Sequence, residues 1–344
     1  MGRVARWSRR LLLALALLVL LLAVWWQWPR DAGPYAELAL PAAPQARTAE
    51  PAPPPGGRLR LSWWGVSAVL VEDGRNAIFI DPFFTRPEGL LPLLSYRPIA
   101  PNRARVQAGL AAAGVDALDL VLVSHAHYDH SMDAGLVAQL SGATLAGDRS
   151  TLNVGRGAGL PAAQLRLIEP GDVLQMGDFR LTFVASAHAG ATGGRPLGSI
   201  DSPLQPPARY SAYKRGQVWS VLIEHPEGRL LHHGSAGYVP GALAPHRADV
   251  ALLGAALVED WPRYLAQTAQ AVGAHTVLPL HWDDFLRPLD EPLRPMPLAV
   301  DLAAMYAHFR SSPAAPALHT LPLGRKVALP AAPPDATPTT RPPP

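Results

Sequence analysis

Between Val121 and Asp133 the chain reads VLVSHAHYDHSMD, which places His125, His127, Asp129 and His130 within six residues. The chain has 12 histidines in all, so three in one short stretch is a concentration that needs a cause. A structural histidine is satisfied by one or two hydrogen bonds and gains nothing from like neighbours. Crowded imidazoles repel on protonation unless something positive keeps them neutral. A divalent metal does this, because imidazole coordinates as the free base and coordination offsets its desolvation.

The local pattern suits that chemistry. Residues 119–124 (DLVLVS) predict a short strand buried on both faces. Residues two apart in an extended segment point the same way, so His125 and His127 can share one ion. Asp129 and His130 follow at the entry to a predicted helix over residues 132–140, and can approach a second ion from the other side. The carboxyl end of a buried strand is where α/β sheets place their sites.

Here His125-Ala126-His127-Tyr128-Asp129-His130 resembles the H-x-H-x-D-H signature of the metallo-β-lactamase fold hydrolases. The resemblance implies further ligands in order along the chain. His188 closes the strand-like FVASAHAG and matches the isolated third histidine. His281 closes TVLPLHWDDF and matches the last one. Upstream, residues 61–84 predict a hairpin turning at Asp73-Gly74. Its second strand ends at Asp81, where the family has an aspartate supporting the metal site from behind. The opening hairpin, His281-Trp282 and residues 217–238 are similar to the branch that holds ascorbate-6-phosphate lactonases and N-acyl-phosphatidylethanolamine phospholipase D. The likeness runs over roughly residues 58–328.

Two departures stand out. Gly65-Val66-Ser67 replaces the branch's Gly-His-Ser and removes a polar group near the site. Gly234-Ser235-Ala236-Gly237 replaces Gly-Asp-Thr-Gly, whose aspartate bridges two metals. Serine's hydroxyl is a poor ligand for zinc. Without the bridge, one tightly held ion is expected, at His125, His127 and His188. Asp129, His130 and His281 remain as ligands for a second. Asp283 and Asp284 are the nearest substitute carboxylates in sequence, although solvated loop acids are the plainer reading.

What the resemblance implies is an α/β fold, a four-layer αββα sandwich, built around a hydrolytic centre. Zinc suits the histidine-rich set, with manganese or iron as alternatives. A metal-activated water would attack a phosphodiester, of phospholipid-like kind, or a lactone or amide, with Asp129 orienting the water and moving its proton. The fold does not choose among these substrates. The competing reading is a non-catalytic metal-binding envelope protein whose site is weakened at Ser235.

The rest of the chain bounds where this happens. Its 344 residues, 49% hydrophobic, suffice for one large domain. Net charge is only +3, and no basic stripe follows the N-terminus, which argues against nucleic acid as partner. With no cysteine, disulfides and thiolate metal sites are excluded. Residues 1–10 carry four arginines and no acid, and 11–28 are apolar and end in Trp25, Trp26 and Trp28. This predicts a transmembrane anchor in the cytoplasmic membrane, with the catalytic domain on the periplasmic, extracytoplasmic side. A cleaved signal, including a twin-arginine one around Arg9-Arg10, is the rival reading.

Residues 29–57, rich in proline and alanine, predict a semi-rigid linker. The hydrolase domain is expected over 58–329 and a disordered tail over 330–344. Within the domain, residues 86–102 predict a loop over the site, 103–113 a helix, and 153–161 (NVGRGAGLP) a turn in which Arg156 could meet an anion. A long loop over 189–216, with Arg195, Arg209, Tyr210, Tyr213 and Lys214, could shape a substrate pocket. Helices are expected over 261–272 and 298–310, and an edge strand over 318–329. The oligomeric state is left open.

Overall fold

The computed structural model describes residues 2–42, 59–89, 97–190 and 193–330. The strands run β1 (Arg60–Trp63), β2 (Val69–Glu72), β3 (Ala77–Ile80), β4 (Pro98–Ile99), β5 (Leu120–Leu122), β6 (Thr144–Gly147), β7 (Leu165–Leu167) and β8 (Val173–Met176). They continue with β9 (Phe179–Ser186), β10 (Ala208–Arg209), β11 (Val218–His225), β12 (Gly228–His233), β13 (Val250–Gly254), β14 (Thr276–Leu280), β15 (Ala317–Leu318) and β16 (Val327–Ala328). Two seven-stranded sheets result, in the orders β16-β1-β2-β3-β5-β6-β7 and β15-β14-β13-β12-β11-β9-β8, beside a small β10-β4 ribbon.

Alternation along the strands builds the layers. Val69, Val71, Ile78, Ile80, Leu120 and Leu122 face the second sheet in one continuous core. Their neighbours Leu70, Phe79 and Val121 point the other way, under the helices Arg103–Ala113 and Ala134–Ser141. A period of two is what sends successive side chains to opposite faces. In β13 every residue is buried, because Trp261–Gln267 covers the sheet's outer face through Tyr264 and Leu265. Helix, sheet, sheet and helix therefore stack as four layers.

Local signals explain several boundaries. The helix Arg103–Ala113 matches its predicted span. Asn102 caps it by accepting from the Arg105 amide, and Gly114 ends it at φ 65°. Asp73 makes the expected turn by accepting from the Arg75 and Asn76 amides, each at 2.7 Å. The predicted hairpin over 61–84 contains three strands, since β1 also pairs antiparallel with β2.

Other expectations are corrected. Residues 153–161 are not a turn throughout: Arg149–Gly157 is helical, capped by Asp148, whose carboxylate accepts from Thr151. Arg156 there donates to Asn153. The edge strand over 318–329 is two short strands on different sheets, because the chain crosses between them at Thr320 to Leu323. The later helices are Trp261–Gln267 and Leu302–Ser311. Residues 90–96 of the loop expected over 86–102, and the tail at 331–344, lie outside the described residues.

The N-terminal helix Gly2–Gln27 is long and apolar enough over Arg10–Gln27 to cross a membrane, a property signal sequences share, and none of that stretch is buried. The linker expected over 29–57 is not one in its first part. Tyr35 is buried with its ring 4.3 Å from Trp282, and its hydroxyl donates to the Leu321 carbonyl at 2.5 Å. Thr320 donates back to the Tyr35 carbonyl, and the Leu40 amide donates to Thr320. Residues 43–58 lie outside the described residues. The domain thus begins before residue 58, because an aromatic in a proline-rich stretch found an apolar slot that local composition does not reveal.

Removing that side chain leaves a cavity between Trp63 and Trp282 and takes the hydroxyl donor from the Leu321 carbonyl. Tyr35→Ala is expected to lower unfolding free energy by about 3 kcal/mol, measured by denaturant titration. A loss under about 1 kcal/mol would show that the segment contributes little to the fold.

Candidate metal centre

Strand β5 ends at Leu122, and the chain leaves the sheet with His125 and His127 before turning into the short helix Tyr128–Ser131. That helix starts four residues earlier than expected, so Asp129 and His130 lie on a helical turn rather than before one. A second helix, Ala134–Ser141, follows. His188 arrives two residues after β9 and His281 one residue after β14. The four histidines His125, His127, His188 and His281 are therefore delivered just past strand ends, and Asp129 and His130 by the short helix that follows β5.

The six side chains form two groups. Ligand atoms of His125, His127 and His188 lie within 4.8 Å of one another, and so do those of Asp129, His130 and His281. His125 Nε2 is 3.1 Å from His127 Nδ1. Asp129 Oδ2 lies 3.3 Å from His281 Nε2 and 3.6 Å from His130 Nε2.

Hydrogen bonds decide which ring nitrogens are free. His127 Nε2 donates to the Pro196 carbonyl at 3.2 Å, and His188 Nδ1 donates to the Ala189 carbonyl at 2.9 Å. Their other nitrogens carry lone pairs into the cluster. His130 Nδ1 donates to Asp81 Oδ2 at 2.8 Å, leaving His130 Nε2 buried with no hydrogen-bond partner among the described residues. A carboxylate behind a histidine is the arrangement that orients metal-ligating imidazoles. Asp81 is itself fixed by the amide and hydroxyl of Ser124, at 2.6 and 2.5 Å.

Electrostatics separates the groups. Burial pushes His127 and His188 down to about 4 and His125 well below its ordinary value. All three are held as free bases. Burial alone would raise Asp129, but the rings of His130, His281 and His127 outweigh it and hold the carboxylate below its usual range. Burial likewise opposes charge on His130, yet Asp129 and Asp81 raise it. One group offers neutral nitrogens, the other a carboxylate and a carboxylate-backed ring. Both sets fit a divalent cation.

Asp283 and Asp284 are not solvated loop acids, nor do they belong to either ligand group. Both are buried. Asp283 pairs with the buried Arg86 at 2.5 Å and accepts from the Val66 amide at 2.8 Å. The Val66 carbonyl accepts from the His281 amide at 2.7 Å. Val66 and His281 both have positive φ, 47° and 52°, a conformation that branched and bulky residues avoid. The ion pair thus fixes a strained backbone that aims His281. Asp284 is taken by Arg294, with contacts of 2.9 and 2.6 Å. Sequence reading missed both arginines, which lie far along the chain or beyond a loop from their partners.

Ser235 is buried beside His188, and its hydroxyl accepts from the Ala189 amide at 3.0 Å. It supports the loop carrying His188. Gly194 permits the approach on the other side: at φ 77°, a Cβ there would lie 2.3 Å from His188 Cγ. A cavity of about 370 Å³ opens next to the cluster, lined by Asp129, His188, Ser235, Arg195, Tyr210 and Phe285 among others. The long loop over 189–216 therefore does shape it, although Tyr213 is buried away from it.

A third grouping, Asp73, Asp178 and His225, is of another kind. His225 Nδ1 accepts from the Glu227 amide, which leaves the ring hydrogen on Nε2, facing Asp73 at 3.6 Å. That ring has no second lone pair for a metal. His232 and His233 are also buried, bonded to Ser67 and Ser220, and their role is in the core.

Near one equivalent of metal is expected to survive mild chelation, and Ser235→Asp should raise it toward two. His127→Ala or His188→Ala should strip it, while His225→Ala and His246→Ala keep it. Asp81→Asn should weaken retention by about 10- to 100-fold. Elemental analysis after dialysis reads all of these, and two chelation-resistant equivalents in the unaltered protein would overturn the single-ion expectation.

Residues 76–282 match a family model described as the β-lactamase superfamily domain. A UPF0173 metal-dependent hydrolase of Myxococcus xanthus is 28% identical over 247 residues, covering 70% of this chain and 76% of that protein. One from Pyrobaculum islandicum is 25% identical over 232 residues, covering 66% and 85%. Among solved structures, the isothiocyanate hydrolase from Delia radicum gut bacteria superposes with a TM-score of 0.50 at 14% identity. It covers 79% of this chain and 100% of that one, a likeness of fold. A family match over more than half the chain, on a two-sheet fold with histidines at its strand ends, makes this protein a member of the β-lactamase superfamily domain family, a metal-dependent hydrolase of metallo-β-lactamase fold.

Proposed function

We propose that the chain hydrolyses a phosphodiester, using His125, His127 and His188, with Asp129, His130 and His281, as its metal-holding residues. The observation that carries this is the pair of three-ligand groups opening on a cavity that also presents Arg195. A divalent ion held there, zinc by the donor set, supplies Lewis acidity and lowers the pKa of water. Asp129, held ionised by the surrounding rings, accepts a proton from the attacking water and fixes its direction. Arg195 lines the cavity, and its guanidinium is the group there suited to an anionic oxygen. Phe285, Met296 and Leu257 give the cavity an apolar wall for the rest of the substrate. Lactone and amide hydrolysis use the same groups, but neither requires an arginine at the cavity.

The N-terminal helix and its basic flank support membrane attachment with the catalytic domain on the extracytoplasmic side. A reporter active only after export, fused after residue 57, should be active. An active cytoplasmic reporter at that point would sink the assignment.

The chemistry is tested on the purified full chain with bis(p-nitrophenyl) phosphate, a lactone and a β-lactam. Turnover is expected on the phosphodiester, and Asp129→Asn should lower kcat by about 100-fold or more. Metal bound with no turnover on any of the three would favour the non-catalytic metal-binding alternative.

A further inference from the structure

The cavity is open at its rim. Leu257 and Ala299 line it, and the same two residues line an adjoining groove whose other walls include Leu298, Leu302 and Asp31. Asp31 lies four residues beyond Gln27, the last residue of the N-terminal helix. Four extended residues span at most about 14 Å, so the groove starts within that distance of the helix end.

Two further contacts fix this placement. Arg287, two residues past the cavity residue Phe285, donates to the Gln27 side chain at 2.9 Å. Arg294, two residues before the cavity residue Met296, donates to the Trp28 carbonyl at 3.2 Å. Segments adjoining the cavity walls therefore hold the end of the helix, and the groove that shares Leu257 and Ala299 with the cavity reaches Asp31 just past it.

Two leucines project outward at the rim, beside a groove that also carries Asp31, Glu259 and Asp301. Leu298 is 86% exposed and Leu257 44%. Both are non-glycine residues at positive φ, 65° and 60°, and the Leu257 amide is pinned to the Ala299 carbonyl at 2.7 Å. Leucine avoids that backbone region, so folding presents these two side chains to the outside against local preference. At the helix end, Trp25 and Trp28 are exposed. Arg30 lies 4.8 Å from the Trp25 ring and donates to the carbonyls of Trp25, Trp26 and Trp28. Tryptophan and arginine at the end of an apolar helix mark the headgroup level of a bilayer.

We propose that the rim formed by Leu257, Leu298 and Ala299 is a membrane-contacting surface whose partner is the acyl layer of a phospholipid bilayer. The mouth of the site then opens into lipid rather than into water. The surface rests on the helix Arg10–Gln27 lying in the bilayer. Only the consequence for substrate entry rests on the hydrolytic reading.

The chain has no cysteine, so Leu298→Cys gives a single attachment point for a nitroxide. The full chain is reconstituted in phosphatidylethanolamine–phosphatidylglycerol vesicles, and the label's collisions with oxygen and with a water-soluble nickel chelate are measured. Val173→Cys, on the exposed edge strand β8, is the reference. The expected result is loss of nickel broadening with retained oxygen broadening at residue 298, and strong nickel broadening at residue 173. Nickel broadening at 298 equal to that at 173 overturns the proposal. Low access to both reagents at 298 also overturns it, since that is the signature of a protein cover such as a second copy. No turnover enters this measurement. A lipid-facing label with a failed substrate panel removes the hydrolytic reading alone, and a water-facing label with a working panel removes the surface alone.

Discussion

Five imidazoles and a carboxylate share a few ångströms of protein interior, and the fold is arranged around making that tolerable. Desolvation drives the three-histidine group toward the free base, and every outward nitrogen whose partner is known is tied to the scaffold. The Pro196 and Ala189 carbonyls accept hydrogen bonds from two rings, and Asp81 accepts one from a third. The inward nitrogens are thereby fixed in register. Strand ends supply the positions, and the hydrogen bonds supply the tautomers.

The two groups differ in how they reach this state. His125, His127 and His188 rely on burial and on carbonyls. Asp129, His130 and His281 rely on charge, with Asp81 behind one ring and the Arg86–Asp283 pair behind the backbone of another. Losing one partner of a buried ion pair strands the other charge, which is far more destabilising than the pair is stabilising. The strained Val66 and His281 conformations depend on that pair being intact.

Much of the centre is legible in the sequence, because its signals are local. The buried run at residues 119–124, the spacing of His125, His127, Asp129 and His130, and the strand ends before His188 and His281 are all read within a dozen residues. What escaped is non-local. Asp283 reads as a loop acid until Arg86, 197 residues away, is seen against it. Tyr35 reads as part of a linker until Trp63, Trp282 and Leu321 enclose it. The residues 153–161 misled in another way: three glycines suggested a turn, while the Asp148 cap and the packing of Leu152 and Val154 extended a helix through the first two of them. Tertiary burial outweighs glycine's modest helix penalty.

The docking of Tyr35 changes what the proline-rich stretch can do. Ala42 bridges to Val327, and Val327 also pairs with Leu61 in β1. Val327 in β16 is therefore bonded to Ala42 and also to β1, before and after residues 43–58 in the sequence. A protease that cut this stretch would sever the only covalent path from helix to domain, yet the two pieces would stay joined through Tyr35, Thr320 and the Val327 bridge. Attachment of the catalytic unit is thus a property of folding rather than of chain continuity, and release would require unfolding instead of a nick.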